Sequence, residues 1–262
     1  MRSIDALSQC AFPLRLFFNE TPLGHGTGFL WRVGKQLSLV TNWHVVTGRD
    51  PFTLKHISKT AAEPSRLTVI FWNSAGAERL FETSLYDRHG NPIWRVHPAL
   101  GRKADVVAFP AKLPWKHLSA RAINDLPQTP LRTLVGSLLF ILGYPFAPER
   151  YPVWKLATVA SEPALTPDLR PYLLVDSASR PGMSGAPVIQ RGIGPVHIED
   201  EIGWRLETLH APMTRFVGIY SGRLHTHSPL DAQLGMVWPA SLVAEVVEGG
   251  VPDLPPKCPT VE

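Results

Sequence analysis

Short apolar runs rich in Val, Ile, Leu, Phe and Trp recur along the chain, each bounded by Gly, Pro, Asn or Asp. They fall near 11–18, 27–33, 36–41, 66–72, 79–86 and 104–109, then near 135–143, 152–160, 171–176, 186–190, 215–221 and 233–238. About a dozen short strands with no repeated helical crossover predict antiparallel barrels or sandwiches. Between the two series, the stretch from Pro110 to Pro130 carries four prolines (110, 114, 127, 130) and reads as a linker between half-domains. One helix is predicted from Pro239: proline suits a first turn, Leu242, Val243, Val246 and Val247 are spaced for one face, and Gly249–Gly250 end it. VPDLPPKCPTVE beyond it reads as a loosely ordered tail. The expected organisation is therefore a first half over 1–120, a second half with the helix over 121–248, and a proline-rich tail over 249–262, together one domain.

Composition strengthens the all-β reading. With 44% apolar and 18% charged residues in 262, the chain can bury a core, and 26 prolines with 20 glycines call for many turns. The net charge is +4, but the basic residues are scattered and form no cluster, so nucleic acid is not an expected partner. No run of 18 apolar residues predicts a membrane span, and MRSIDALSQCAFPLRLFFNE lacks the unbroken apolar stretch of a signal peptide. Two cysteines, Cys10 and Cys258, are too few for a secreted disulfide framework, so a cytoplasmic location fits; whether the two pair stays open.

Candidate chemistry lies in three segments. LVTNWHVVTG places His44 just after a strand-like run, as a packed core histidine or as a base. SRPGMSGAPVIQ sets Ser184 between Gly182 and Gly185 and before a strand; a turn at Gly182 lets its N–H and that of Ser184 point at one spot, as an oxyanion hole requires. An ordinary hairpin serine is the plainer alternative. A serine hydroxyl is a weak nucleophile and needs a base, which in turn needs an orienting acceptor. GRKADVVAFP offers Asp105, an acid flanked by Ala104, Val106 and Val107 that requires a partner if buried. Asp50, Asp87 and Asp125 and the other histidines lack comparable surroundings. His225 and His227 alternate as on a strand, but no third ligand is spaced to join them, so neither metal nor other cofactor is expected.

The chain order His44, Asp105, Ser184 matches that of chymotrypsin-type peptidases and differs from the orders of the α/β-hydrolase and subtilisin types. More narrowly, GTGFLWRVGKQLSLVTNWHVV, ADVVAFP, FILGYPFA, VDSASRPGMSGAPV, VGIYSG and LGMVWPASLV, spanning about residues 24 to 248, resemble in order the protease domain of the bacterial high-temperature-requirement (Deg-type) serine proteases. The resemblance implies two antiparallel six-stranded β-barrels with a C-terminal helix, His44 and Asp105 from the first and Ser184 from the second. It implies a serine endopeptidase acting on protein or peptide substrates, with Gly182 and Ser184 as the oxyanion hole and Ser221 supporting the aspartate. The family's PDZ domain is not expected, since the sequence ends soon after the predicted helix. Met183 stands where digestive relatives carry the aspartate that pairs with a newly cut N-terminus, so that activation route is not expected.

For substrate binding the resemblance points to Ala178, Tyr220, Ser221 and Gly222. Ala178 as pocket floor favours a small or aliphatic residue before the cleaved bond; a register shift would bring Asp176 there instead, and Arg180 and Arg223 at the rim leave an acidic preference open. Residues 191 to 214 are an insertion relative to the family, expected as a solvated loop or, more sharply, as a lid or a docking loop for a regulatory protein. Two alternatives accompany the endopeptidase: a protease-fold module that binds peptides without turnover, and a latent protease activated by a partner at 191–214.

Overall fold

Strands form where the apolar runs predict them. The computed structural model describes residues 4–58, 60–110, 120–146, 149–165, 170–224 and 233–254. The first half contributes β1 (Ala11–Phe18), β2 (Thr21–Val33), β3 (Gln36–Thr41), β4 (Arg66–Trp72), β5 (Glu78–Ser84), β6 (Arg95–Val96) and β7 (Val107–Pro110). The second contributes β8 (Leu138–Gly143), β9 (Val153–Val159), β10 (Leu173–Asp176), β11 (Pro187–Asp200), β12 (Gly203–Arg223) and β13 (Leu234–Pro239). Among the described residues there are also two α-helices, α1 (Trp43–Thr47) and α2 (Ala240–Gly249), and a last short strand, β14 (Val251–Pro252).

The fold is all-β with a C-terminal helix, as the pattern predicts, and every named strand pairing is antiparallel. The expected six strands hold for the second half, which closes as β10-β13-β12-β11-β8-β9. The first half is instead an eight-stranded sheet in the order β14-β6-β7-β3-β2-β1-β4-β5. Its extra edge comes from two-residue strands, too short to leave a periodic signature: Val251 pairs with Val96 and Pro252 with Arg95. The chain after α2 is thus built into the first sheet as far as these residues. The remainder of the expected loose tail, from 255 on and including Cys258, lies outside the described residues.

Each half has its own apolar filling, and a third cluster joins them. Leu14, Leu39, Leu67, Val69, Phe71 and Trp94 pack inside the first sheet, and Leu139, Ile141, Val175, Val188 and Val237 inside the second. Between them lie Phe29, Val40, Val106, Ile189, Ile219 and Trp238, capped by Leu242, Val243 and Val246 of α2. Burying a side chain of this size contributes roughly 1.5–3 kcal/mol, so this seam resists sliding of one half on the other. The chain crosses the seam through 120–130, where Ile123 is buried and Arg32 on β2 forms an ion pair with Asp125 at 2.8 Å. Residues 111–119 of the expected linker lie outside the described residues.

The insertion at 191–214 is largely exposed, as expected, but is not an irregular loop. It continues β11 and β12 as a long hairpin in which Val196 pairs with Glu207 and Ile198 with Arg205. The hairpin folds over the 130–132 segment, where Arg132 N donates to His197 O at 2.7 Å and Glu199 N to Pro130 O at 2.8 Å. Leu131, Ile198 and Leu209 form a small apolar cluster beneath it. Among the described residues, no helix is long and apolar enough to cross a membrane.

Candidate active site

Sheet register brings the first two candidate residues together. β3 and β7 are antiparallel with Thr41 opposite Val107, so the chain just past β3 lies beside the chain just before β7. There α1 begins after Asn42, whose backbone is extended, and carries His44 in its first turn; Val45 and Val46 are buried and anchor the turn. His44 N donates to Asp105 Oδ1 at 2.8 Å, and Nδ1 lies 2.6 Å from Oδ2. A carboxylate only accepts, so the Nδ1 proton faces Asp105 and the Nε2 lone pair is left for another partner.

Asp105 is fully buried, and its surroundings are built for that. Besides the two bonds from His44, its Oδ2 accepts from Ser221 Oγ on β12, and its backbone carbonyl accepts from Asn42 Nδ2 at 2.7 Å. Three donors on one buried carboxylate offset its loss of water, the condition for an acid in this position. Ser221 thus lies directly against the Asp105 carboxylate. Asn42 and its bond escaped the sequence reading, although the polar Thr41–Asn42 pair before an apolar turn carries a signal for it.

Ser184 stands in the turn between β10 and β11, tied to both halves. Ser184 O accepts from Thr27 N on β2 at 2.8 Å, and Gly185 N donates to Tyr220 O on β12 at 2.9 Å. Thr27 Oγ1 donates to Gly182 O at 2.8 Å while accepting from Tyr144 N at 3.1 Å, so one buried hydroxyl from the first half fixes the turn of the second. Gly182 has φ +92°, and a Cβ there would stand 2.4 Å from Tyr144 O and from His25 Nε2. At Gly185, with φ +85°, a Cβ would stand 1.9 Å from Thr27 O. Only glycine fits either position. Among the described residues, neither Gly182 N nor Ser184 N donates to a protein acceptor, which leaves both free for a ligand.

His44 and Ser184 line one cavity of about 430 Å³. No hydrogen bond joins the two side chains among the described residues; such bonds are frequently long without substrate. Asp50, Phe52 and Ile57 line the cavity beside His44, and Ser179, Arg180, Ser221, Gly222, Arg223 and Met236 line it beside Ser184. Of the four residues expected to bind substrate, Ser221 and Gly222 thus lie at the cavity. Tyr220 is buried behind it, with its hydroxyl on Ser179 Oγ at 2.5 Å, and burial pushes its phenol up from the ordinary range. Ala178 is exposed and does not line the cavity, whereas the next residue, Ser179, does. Asp176 ends β10 with its side chain exposed, outside the cavity lining. His225 and His227 lie outside the described residues.

Comparison with known proteins agrees with the architecture. No curated protein is significantly similar to the chain in sequence. The serine endoprotease of Yersinia pestis superposes with a TM-score of 0.52 at 13% identity, covering 92% of this chain and 62% of that one. This chain therefore spans less than two thirds of the Yersinia protein. The Rv3671c protease of M. tuberculosis in an inactive form gives a TM-score of 0.46 at 20% identity, covering 92% of this chain and 89% of that one. The Yersinia likeness shows a chymotrypsin-like fold. The profile of the trypsin-like peptidase domain matches residues 26–194, which include His44, Asp105, Gly182 and Ser184 and make up well over half of the sequence. The chain belongs to the trypsin-like peptidase family.

Proposed function

We propose that the chain is a serine endopeptidase that cleaves peptide bonds through Ser184, His44 and Asp105. The observation carrying this reading is the 2.6 Å contact of His44 Nδ1 with the buried Asp105 carboxylate, in a cavity that Ser184 also lines. His44 Nε2 takes the Ser184 hydroxyl proton as Oγ attacks the carbonyl carbon, and the oxygen that becomes negative is held by the N–H groups of Gly182 and Ser184. Collapse breaks the C–N bond, the proton on Nε2 passes to the leaving amine, and the acyl group stays on Oγ. Water then repeats the sequence, giving its proton to Nε2 and releasing the acid. Asp105 keeps Nδ1–H oriented throughout and balances the charge of the imidazolium. Protein or peptide is the substrate class this chemistry implies.

The missing Ser184–His44 hydrogen bond supports a second reading, a module that retains the fold and binds peptides without turnover. A fluorophosphonate probe separates the two. Covalent labelling of the folded protein that vanishes in both Ser184→Ala and His44→Ala supports the peptidase; an unlabelled, folded wild type refutes it.

A further inference from the structure

The cavity beside Ser184 is lined by an arginine held to a second lining segment. Arg223 ends β12 just past a break in register between Tyr220 and Arg223, and this bulge turns its side chain into the cavity. From there its Nη2 donates to Ser179 O, on the segment leading to the nucleophile. The guanidinium so bridges two of the segments that line the cavity, and one carbonyl accounts for only one of its five N–H groups. Arg180, a second cation, lines the same cavity. Among the described residues, neither arginine pairs with a carboxylate. Asp50 is the one carboxylate among the described residues lining the cavity; its Oδ1 accepts from the N–H groups of Phe52 and Thr53 within its own loop, at 3.0 and 2.7 Å.

A half-buried guanidinium that has spare donors and, among the described residues, is paired with no carboxylate favours an anion of carboxylate geometry. The side chain nearest to Ser184 in a bound substrate is that of the residue whose carbonyl is attacked, which remains attached as the acyl group. Met236 adds an apolar surface for the methylenes of that side chain. We propose that Arg223, with Arg180 beside it, makes this site select an acidic side chain, glutamate or aspartate, at the acyl-side residue of the cleaved bond. The proposal rests on the peptidase reading. It replaces the expectation of a small or aliphatic residue, which depended on Ala178 forming the floor.

The test is hydrolysis of a peptide series differing only at that residue (Glu, Asp, Gln, Leu, Lys), with fluorophosphonate labelling of Ser184 run in parallel. Wild type is expected to favour Glu over Gln by about 30-fold or more in kcat/KM, since an unpaired charge at a desolvated site costs that much. High salt should shrink the ratio. Arg223→Gln is expected to bring the ratio near one, Arg223→Lys to keep most of it, and Arg223→Glu to shift preference towards Lys. If Arg223→Gln fails to fold, the wild-type ratio and its salt dependence decide alone. A wild type that is labelled but cleaves Gln or Leu peptides as fast as Glu overturns the proposal and leaves the peptidase reading standing. A folded wild type that is not labelled overturns both.

Discussion

Replacing Asp253 by alanine tests the junction between the end of the described chain and the turn that carries His44. Asp253 Oδ2 accepts from Trp43 Nε1 at 2.7 Å and from Trp94 Nε1 at 3.0 Å. Both indoles are buried, at 4% and 2% exposure, and Trp43 is the residue immediately before His44. A hydrogen bond to a charged group contributes roughly 1.5–3 kcal/mol, and a buried donor left without a partner costs about 1–3 kcal/mol. Asp253 is itself only half-buried, so water can reach part of the vacated site and lower the sum. Asp253→Ala is therefore expected to lose about 3 kcal/mol, equivalent to a fall in Tm of roughly 6 °C or more. Asp253→Asn keeps an acceptor oxygen without the charge and should lose about half as much. Urea denaturation followed by tryptophan fluorescence, with thermal melts alongside, measures both. An alanine variant within about 0.5 kcal/mol of wild type, or an asparagine variant as unstable as the alanine one, would falsify this account of the junction.

Further outcomes follow from the site. Gly185→Ala sets a Cβ 1.9 Å from Thr27 O and 2.4 Å from Thr41 Oγ1 at φ +85°, so a loss of roughly 3 kcal/mol or more and collapse of activity are expected; near-native urea curves would contradict it. Ser221→Ala removes one of the donors to the Asp105 carboxylate while sparing those from His44, so kcat should fall about tenfold with KM little changed, and an unaltered kcat would count against the role of this hydroxyl. Burial pushes the Cys10 thiol up from 9.0 to about 12. The unfolded chain releases that proton above pH 9 while the folded chain keeps it, so stability is intact below pH 9 and falls towards pH 12 by up to about 1.4 kcal/mol per unit. Cys10→Ala should show a shallower decline in urea curves between pH 8 and 11; parallel slopes would refute the assignment.

What the sequence made legible divides along physical lines. β4 falls on its predicted 66–72 because a short run of apolar and β-branched residues, buried from Leu67 to Phe71, is bounded by turn residues. The order of His44, Asp105 and Ser184 was readable because each lies in a motif whose neighbours are constrained by the turn it makes. The helical turn α1 was not, since the β-branched Val45-Val46-Thr47 reads locally as strand; packing of the buried valines decides it. The hairpin at 191–214 hid behind charged residues that break the alternation, although Val196 and Ile198 on one side and Trp204 and Leu206 on the other keep a period of two. Arg223 could be placed near the rim but not bonded to Ser179 O, because that contact depends on the bulge after Tyr220 and on a carbonyl contributed from a distant segment.

The pairing of β14 with β6 also sets an order of assembly. Arg95 Nη1 reaches Gly250 O, a partner 155 residues further along, and Val96 waits equally long for Val251. During synthesis the half that carries His44 and Asp105 leaves the ribosome with an open strand edge and two indole N–H groups lacking their carboxylate. That edge is sealed only after the segment bearing Ser184 and the helix behind it have emerged. The architecture thereby ties completion of the His44 side of the cavity to the arrival of its Ser184 side, so a partly made chain has no finished cavity.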